Sequence, residues 1–177
     1  WMNMEDFIVG YPGCEYGLRR CMEETIGTEK SRLWFQKFLD YMFNEDDIKF
    51  IKSCGASVIR ISVNYRHFED DDNPFVYKEE GFKRLEKIFN LCRKHNLYVI
   101  LTLHSAAGWQ NTDWHCDNSS RHTLFWQHSH FQERFIELWK EFARRFKNNP
   151  IIAGYDLMNE PVTNSPLGRF SYKYTPD

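Results

Sequence analysis

The run Asn159-Glu160-Pro161 near the C-terminus holds the residues best suited to chemistry. The carboxyl group of Glu160 follows an apolar, strand-like segment, residues 151–155, and a carboxylic acid held at a strand end can serve as a general acid. Glycoside hydrolysis uses such an acid to protonate the leaving oxygen, and Asn159 is suited to binding the sugar 2-hydroxyl group. A helix start is the alternative interpretation, because Asn caps helices and Pro favours their first turn.

Two further polar residues lie in or directly after apolar segments. Arg60 interrupts the segment Val58-Ile59-Arg60-Ile61, and a buried guanidinium group requires an acidic partner. We expect Arg60 to orient a catalytic carboxylate, with a purely structural ion pair as the alternative. His104 ends the segment Leu101-Thr102-Leu103, where we expect it to bind a sugar hydroxyl group. The alternative for His104 is a polar residue that is satisfied locally.

The loop from residue 108 to residue 118 mixes aromatic rings with amides and carboxylates. Rings stack on the apolar faces of sugars, and amides form hydrogen bonds with hydroxyl groups. We therefore predict that four residues of this loop bind substrate: Trp109, Gln110, Asn111 and Trp114. Packing of the loop itself is the alternative role for the two tryptophans.

No metal or cofactor site is predicted. His115, Cys116 and Asp117 are neighbours in the chain, and adjacent side chains rarely ligate one ion. The acidic run Glu69-Asp70-Asp71-Asp72 is interpreted as a solvated turn rather than a calcium site. The chain has no Walker motif, no glycine-rich dinucleotide loop and no Gly-x-Ser-x-Gly elbow, so we expect no cofactor.

Hydrophobic periodicity indicates strands that alternate with helices. Apolar runs predict strands at residues 6–13, 57–63, 97–103 and 151–158. Apolar residues at helical spacing predict helices at residues 44–54, 79–95 and 131–146. The stretch up to about residue 43 is predicted to be irregular, with helical character around 29–42, and the tail from Val162 to be loop. Strands that are apolar throughout are buried on both faces, and intervening helices imply parallel pairing, so the predicted class is α/β.

The positions of the polar residues favour a barrel over a doubly wound sheet. Arg60, His104 and Glu160 lie within or at the ends of three successive strands. Catalytic groups that converge from several strand ends are typical of the (β/α)8, or TIM, barrel, which usually needs eight strands and about 250 residues. We therefore predict that the 177 residues are a single portion of a catalytic domain, the first four βα units or N-terminal half of a barrel.

Charge and composition restrict the partners. The formal charge is −2, from 23 basic and 25 acidic residues that are interleaved, so we expect no nucleic acid partner. No apolar run approaches the length of a membrane span, so no membrane partner is expected, and residues 1–6 lack the regions of a signal peptide.

The five cysteines have neither disulfide-framework nor zinc spacing. Cys54 and Cys92 are predicted to be buried thiols, and a bond between Cys14 and Cys21 is left open.

Four segments together resemble glycoside hydrolase family 5, a family of (β/α)8 retaining β-glycosidases. Residues 43–55 resemble the family's first helix, and residues 58–63 resemble its Arg-bearing second strand. Residues 101–111 resemble its His-bearing third strand with the following loop, and residues 156–161 resemble its fourth-strand acid/base motif. The resemblance implies that Glu160 is the acid/base, that Asn159 binds the sugar, and that Arg60 and His104 lie beside them.

The resemblance also implies a substrate and a partner. The loop pattern resembles members that act on β-glucans, including cellulases and β-1,3-glucanases, so the implied reaction is hydrolysis of β-glucan-type polysaccharides or oligosaccharides with retention. The family's nucleophilic Glu, on its seventh strand, has no counterpart in these residues. The implied partner is a C-terminal half-barrel or a second copy of the chain. The alternative is an inactive half-barrel that binds glycans or self-associates; inversion with Asp113 or Asp117 as base has no support in the pattern.

Overall fold

The computed structural model describes residues 13–162, in which five α-helices and three β-strands are formed. The helices are α1 (Glu15–Ile26), α2 (Thr28–Tyr41), α3 (Glu45–Ser53), α4 (Glu79–Lys94) and α5 (Ser129–Phe146), and the strands are β1 (Val58–Asn64), β2 (Tyr98–Ser105) and β3 (Ile152–Asp156). Short 3-10 turns follow at Tyr65–His67, Trp114–Cys116 and Leu124–Trp126.

The three strands form one parallel sheet in the order β1-β2-β3. Helix α4 connects β1 to β2, and α5 connects β2 to β3, because parallel strands need a long crossover between them. The predicted α/β class is therefore confirmed. Strand β3 ends at Asp156, two residues before the predicted end, and the strand predicted for residues 6–13 lies outside the described residues except for Gly13.

The main core lies between the sheet and helices α4 and α5. Val99, Leu101 and Leu103, which alternate along β2, are fully buried and pack in one cluster with the aromatic stripes of the two helices. Phe89 of α4 meets Phe146 of α5 edge to face, with ring centroids 5.1 Å apart. Each fully buried ring of this kind contributes about 1.5–3 kcal/mol. Within residues 13–162, no helix combines the length and apolar character needed to cross a membrane.

Helix α3 begins and ends as its sequence predicts. The Asn44 side chain accepts a hydrogen bond from the Asp46 amide, and the Asp47 carboxylate accepts one from the Asn44 amide, which completes a capping box. Gly55 follows the helix with a φ of 85°, in the left-handed region that glycine adopts without strain.

The prediction of an irregular segment up to residue 43 is wrong where α1 forms, whereas the helical character predicted around residues 29–42 is confirmed by α2. The Cys14 sulfur accepts a hydrogen bond from the Gly17 amide and caps α1. Gly27, with a φ of 86°, joins the two helices. They share a small core in which Leu18 of α1 packs against the buried ring of Phe35 from α2. The core is small and the helices are rich in charge, so the apolar periodicity that indicates them is weak.

Two further expectations are corrected by burial. Cys54 is exposed rather than buried, because it follows the last turn of α3, whereas Cys92 is buried as predicted. Glu69 is not solvated: it is buried and accepts a hydrogen bond from Arg134 at 3.0 Å. All five cysteines, which lie within the described residues, are free thiols, so no bond joins the pair left open, 14 and 21.

Candidate active site

Arg60, within β1, links that strand to the end of β3 on the face of the sheet opposite the core. Its Nε and Nη2 donate to Oδ2 of Asp156 at 2.9 and 2.5 Å, and Nη2 also donates to Oδ1 of Asn159 at 2.8 Å. The expected acidic partner of Arg60 is therefore Asp156 rather than Glu160. Arg60 reaches the acid-bearing run through the Asn159 side chain.

Asp156 is a residue of the site that the sequence analysis missed. Its Oδ2 accepts hydrogen bonds from Arg60 and from Thr102 Oγ1, the latter at 3.2 Å. The register places Thr102 directly opposite Asp156 in the sheet. A carboxylate at the end of an otherwise apolar strand was a visible signal, since Arg60 needed an acid on a neighbouring strand.

Asn159 and Glu160 follow the end of β3 and differ sharply in exposure. Asn159 is buried, whereas the side chain of Glu160 is 61% exposed. No helix begins between residues 157 and 162, so the run does not act as a helix start within the described residues. Glu160 has a φ of 41°, a left-handed conformation that is strained for a residue with a side chain. Strain of this kind is often found where a side chain must point in a particular direction for function.

Gln110 and Asn111 hold this strained turn in place. Gln110 Nε2 donates to the carbonyl of Asn159 at 2.9 Å, and Asn111 Nδ2 donates to the carbonyl of Glu160 at 2.8 Å. The carbonyl of Gln110 accepts from the Val162 amide at 2.9 Å. Both side chains are almost fully buried. This geometry favours a role for Gln110 and Asn111 in positioning Glu160, whereas the sequence predicted that both residues contact substrate.

His104 lies beside a second histidine, His115, that the sequence analysis did not assign to the site. The two ring centroids are 5.5 Å apart. Burial, and then the proximity of His115 and Arg60, lowers the pKa of His104 to about 4. His104 is therefore neutral at neutral pH. A neutral imidazole has one donor and one acceptor nitrogen, so it is able both to donate to and to accept from a hydroxyl group such as that of a sugar. His115 Nε2 lies 3.2 Å from Oε2 of Glu160.

The two predicted tryptophans lie in different surroundings. Trp109 has a φ of 60°, and its indole N–H is buried without a hydrogen bond to the described residues. Trp114 packs against the small core around Phe35 and meets His115 with ring centroids 5.9 Å apart. Trp114 thus has the loop-packing contacts of the alternative interpretation, and it also lies next to a residue that contacts Glu160.

A network of buried charges fixes the loop that follows β2. Asp117 is buried, and its carboxylate accepts hydrogen bonds from the Tyr16 amide at 2.6 Å, from Asn64 Nδ2 at 3.0 Å and from Arg66 Nε at 2.9 Å. Burial raises the pKa of Asp117, while Arg66 and these donors oppose that rise. Its burial and its three donors favour a structural role for this carboxylate in holding the loop. Among residues 13–162, no group of three or more His, Cys, Asp or Glu side chains is arranged to hold a metal ion.

Comparisons with known proteins agree on one family. The family model described as Cellulase (glycosyl hydrolase family 5) matches residues 15–169. A beta-xylosidase of Phanerodontia chrysosporium is 52% identical over 162 residues, which are 92% of this chain and 34% of the xylosidase. Endoglucanase C of Acetivibrio thermocellus is 30% identical over 131 residues, 74% of this chain and 36% of the relative.

A solved structure shows the same fold. The crystal structure of a rutinosidase from Aspergillus niger superposes with a TM-score of 0.70 at 18% identity, and the match covers 95% of this chain and 48% of that one. The chain therefore spans about a third of the length of the curated relatives it matches and about half of this solved structure.

Proposed function

The chain belongs to glycosyl hydrolase family 5, and we propose that it supplies the general acid/base of a retaining β-glycosidase. Its relatives include a beta-xylosidase and an endoglucanase. The three-stranded sheet is one part of the (β/α)8 barrel of this family. The observation that carries the proposal is an exposed carboxyl group, Glu160, held at a strand end beside the buried, hydrogen-bonded Asn159.

In the proposed reaction, Glu160 protonates the glycosidic oxygen as the leaving group departs. A second carboxylate attacks the sugar and forms a covalent intermediate. Glu160, now ionised, then takes a proton from the water that hydrolyses this intermediate. Retention requires the two carboxyl groups to lie about 5–5.5 Å apart. We propose that the second carboxylate comes from a C-terminal half-barrel.

Arg60 determines which way the Asn159 amide faces. A guanidinium group has donors only, so the atom it contacts at 2.8 Å must be the oxygen of Asn159. The Nδ2 group is thereby directed away from Arg60 and is available to donate to the sugar 2-hydroxyl group, a contact that strengthens in the transition state. Asp156 holds the guanidinium group in this orientation from the other side.

The proposed substrate is a β-linked oligosaccharide or polysaccharide of the glucan type. The endoglucanase relative and the ring-rich loop after β2 favour this class. A β-xyloside is a second candidate, because the relative that is 52% identical is named a beta-xylosidase. A glycan-binding or self-associating half-barrel without turnover is the non-enzymatic alternative; Val58 and Tyr98, paired in the sheet, are exposed on a surface that a partner could cover.

The test is hydrolysis of aryl β-cellobiosides, aryl β-xylosides and carboxymethyl cellulose by the 177-residue chain and by the full-length gene product. We expect Glu160→Gln to lower kcat/KM about 100- to 10,000-fold on substrates whose leaving group needs a proton. Glu86→Gln, an exposed change on α4, is the matched control and should act as the wild type. Activity that survives Glu160→Gln contradicts the assignment. Glycan binding without turnover in either protein favours the non-enzymatic alternative.

A further inference from the structure

His115 is the one basic side chain, among residues 13–162, within ion-pair distance of the Glu160 carboxyl group. Its Nε2 is 3.2 Å from Oε2, and its side chain is only 12% exposed against 61% for Glu160. Neither ring nitrogen of His115 makes a well-aligned hydrogen bond to the described residues. A buried polar atom without such a bond is costly, so its presence beside the proposed acid calls for a functional reason.

The backbone on both sides of His115 is held firmly. Cys116, the next residue, is buried and its thiol donates to the carbonyls of Asn111 at 2.8 Å and Asp113 at 3.0 Å. Ser105, at the end of β2, donates to the Cys116 carbonyl at 2.5 Å. The backbone that carries the imidazole is therefore anchored by buried hydrogen bonds, and the imidazole is far less exposed than the Glu160 side chain.

Few charged groups face the imidazole. Asp113, from the same loop, has Oδ2 4.0 Å from Nε2, and Glu160, after β3, is nearer at 3.2 Å. His104, at the end of β2, faces the ring edge to face, and burial keeps it neutral at neutral pH. No cation among these groups competes with His115 for the Glu160 carboxyl group.

We propose that His115 is a positioning residue for the acid/base: its Nε2–H donates to Oε2 of Glu160, so that Oε1 is the oxygen that delivers and later recovers the proton. This inference rests on the proposed function of Glu160. The 3.2 Å contact is misaligned, but contacts of catalytic groups often align only when substrate is bound. The bond holds one carboxyl oxygen in both steps of the reaction, and no proton is transferred to the ring. His115 thus favours the carboxyl orientation in which the acidic proton points toward the substrate.

The first test compares two leaving groups. A dinitrophenyl glycoside leaves without a proton, whereas a phenyl or alkyl glycoside needs one. We expect His115→Phe, which keeps a ring but has no donor, to lower kcat/KM about 10- to 100-fold on the poor leaving group and less than about threefold on the activated one. His115→Gln, which restores a donor, should recover most of the loss, and His128→Phe, on an exposed residue, should have no effect. Equal losses on both substrates would indicate a structural role and overturn the proposal.

The second test does not depend on turnover. Long-range proton–nitrogen NMR spectra of the 177-residue chain report the tautomer of each histidine. We expect His115 to carry its proton on Nε2 at neutral pH, and its Nε2 signal to move in Glu160→Gln but not in Glu86→Gln. A proton on Nδ1, or an Nε2 signal that ignores Glu160→Gln, overturns the proposal. If the NMR result holds and no glycoside is cleaved, the proposed function has failed while the contact itself stands.

Discussion

The substitution Gln110→Glu isolates the bonds that hold the acid-bearing turn. The Gln110 side chain is fully buried and makes three hydrogen bonds. Nε2 donates to the carbonyls of His104 at 2.7 Å and Asn159 at 2.9 Å, and Oε1 accepts from the Ala106 amide at 3.1 Å. The change keeps the shape of the side chain and replaces only the NH2 group by oxygen. Two buried carbonyl groups then face an acceptor.

The size of the effect follows from those two carbonyls. A buried polar group that loses its partner costs about 1–3 kcal/mol, so the two together cost about 2–6 kcal/mol. That is a large share of the total stability of a domain, about 5–15 kcal/mol. The introduced carboxyl group has its pKa raised in the folded state by burial among carbonyls. Stability is therefore retained best at low pH, where the group is protonated and can donate, and is lost as pH rises.

Urea unfolding followed by far-ultraviolet circular dichroism measures this directly. We expect the unfolding midpoint of Gln110→Glu to fall well below that of the wild type at pH 7 and to recover partly at pH 5. Gln127→Glu, an exposed change in the same loop region, introduces the same charge and should unfold close to the wild type. Equal midpoints for the two variants at pH 7 would refute the assignment of Gln110 as the residue that holds the turn.

Two further predictions concern stability. Gly108→Ala should cost about 2–5 kcal/mol of folding stability, because its φ is 75° and an added Cβ would lie 2.3 Å from Cγ of Phe131. Gly55→Ala, also at positive φ but with no atom within 4 Å, should lose clearly less stability in the same urea experiment. Equal losses would show that the Phe131 contact is unimportant. Burial lowers the pKa of His67 from 6.5 to about 3. The unfolded chain then binds the proton more tightly, so stability falls as the pH drops from about 6.5 toward 3, by about 3 kcal/mol at pH 4. His67→Gln should show a correspondingly smaller loss between pH 7 and pH 4, and an unchanged loss would contradict the role of His67.

Local sequence patterns predicted much of the fold around the site. The apolar spacing in α4 and α5 and the capping Asn44 are short-range signals, each within a few turns of chain, and the structure bears them out. The run Asn159-Glu160 after an apolar strand is of the same kind. Helix α1 was not predicted, and α2 was predicted only as helical character around residues 29–42, because their apolar periodicity is weak and their small core forms only when the two helices pack together.

The contacts of the candidate site depend on the tertiary structure. Arg60 needed an acid, and the sequence indicated that need, but its partner Asp156 lies 96 residues away and is selected by the register of three parallel strands. The contact of His115 with Glu160 likewise depends on how a long loop folds back over the strand ends. Periodicity and capping are properties of neighbouring residues and can be identified in a single chain. Pairing across the sheet is set by packing of the whole domain. The sequence by itself therefore indicated the proposed acid, Glu160, and the strand before it, and only the tertiary structure decided which side chains surround it.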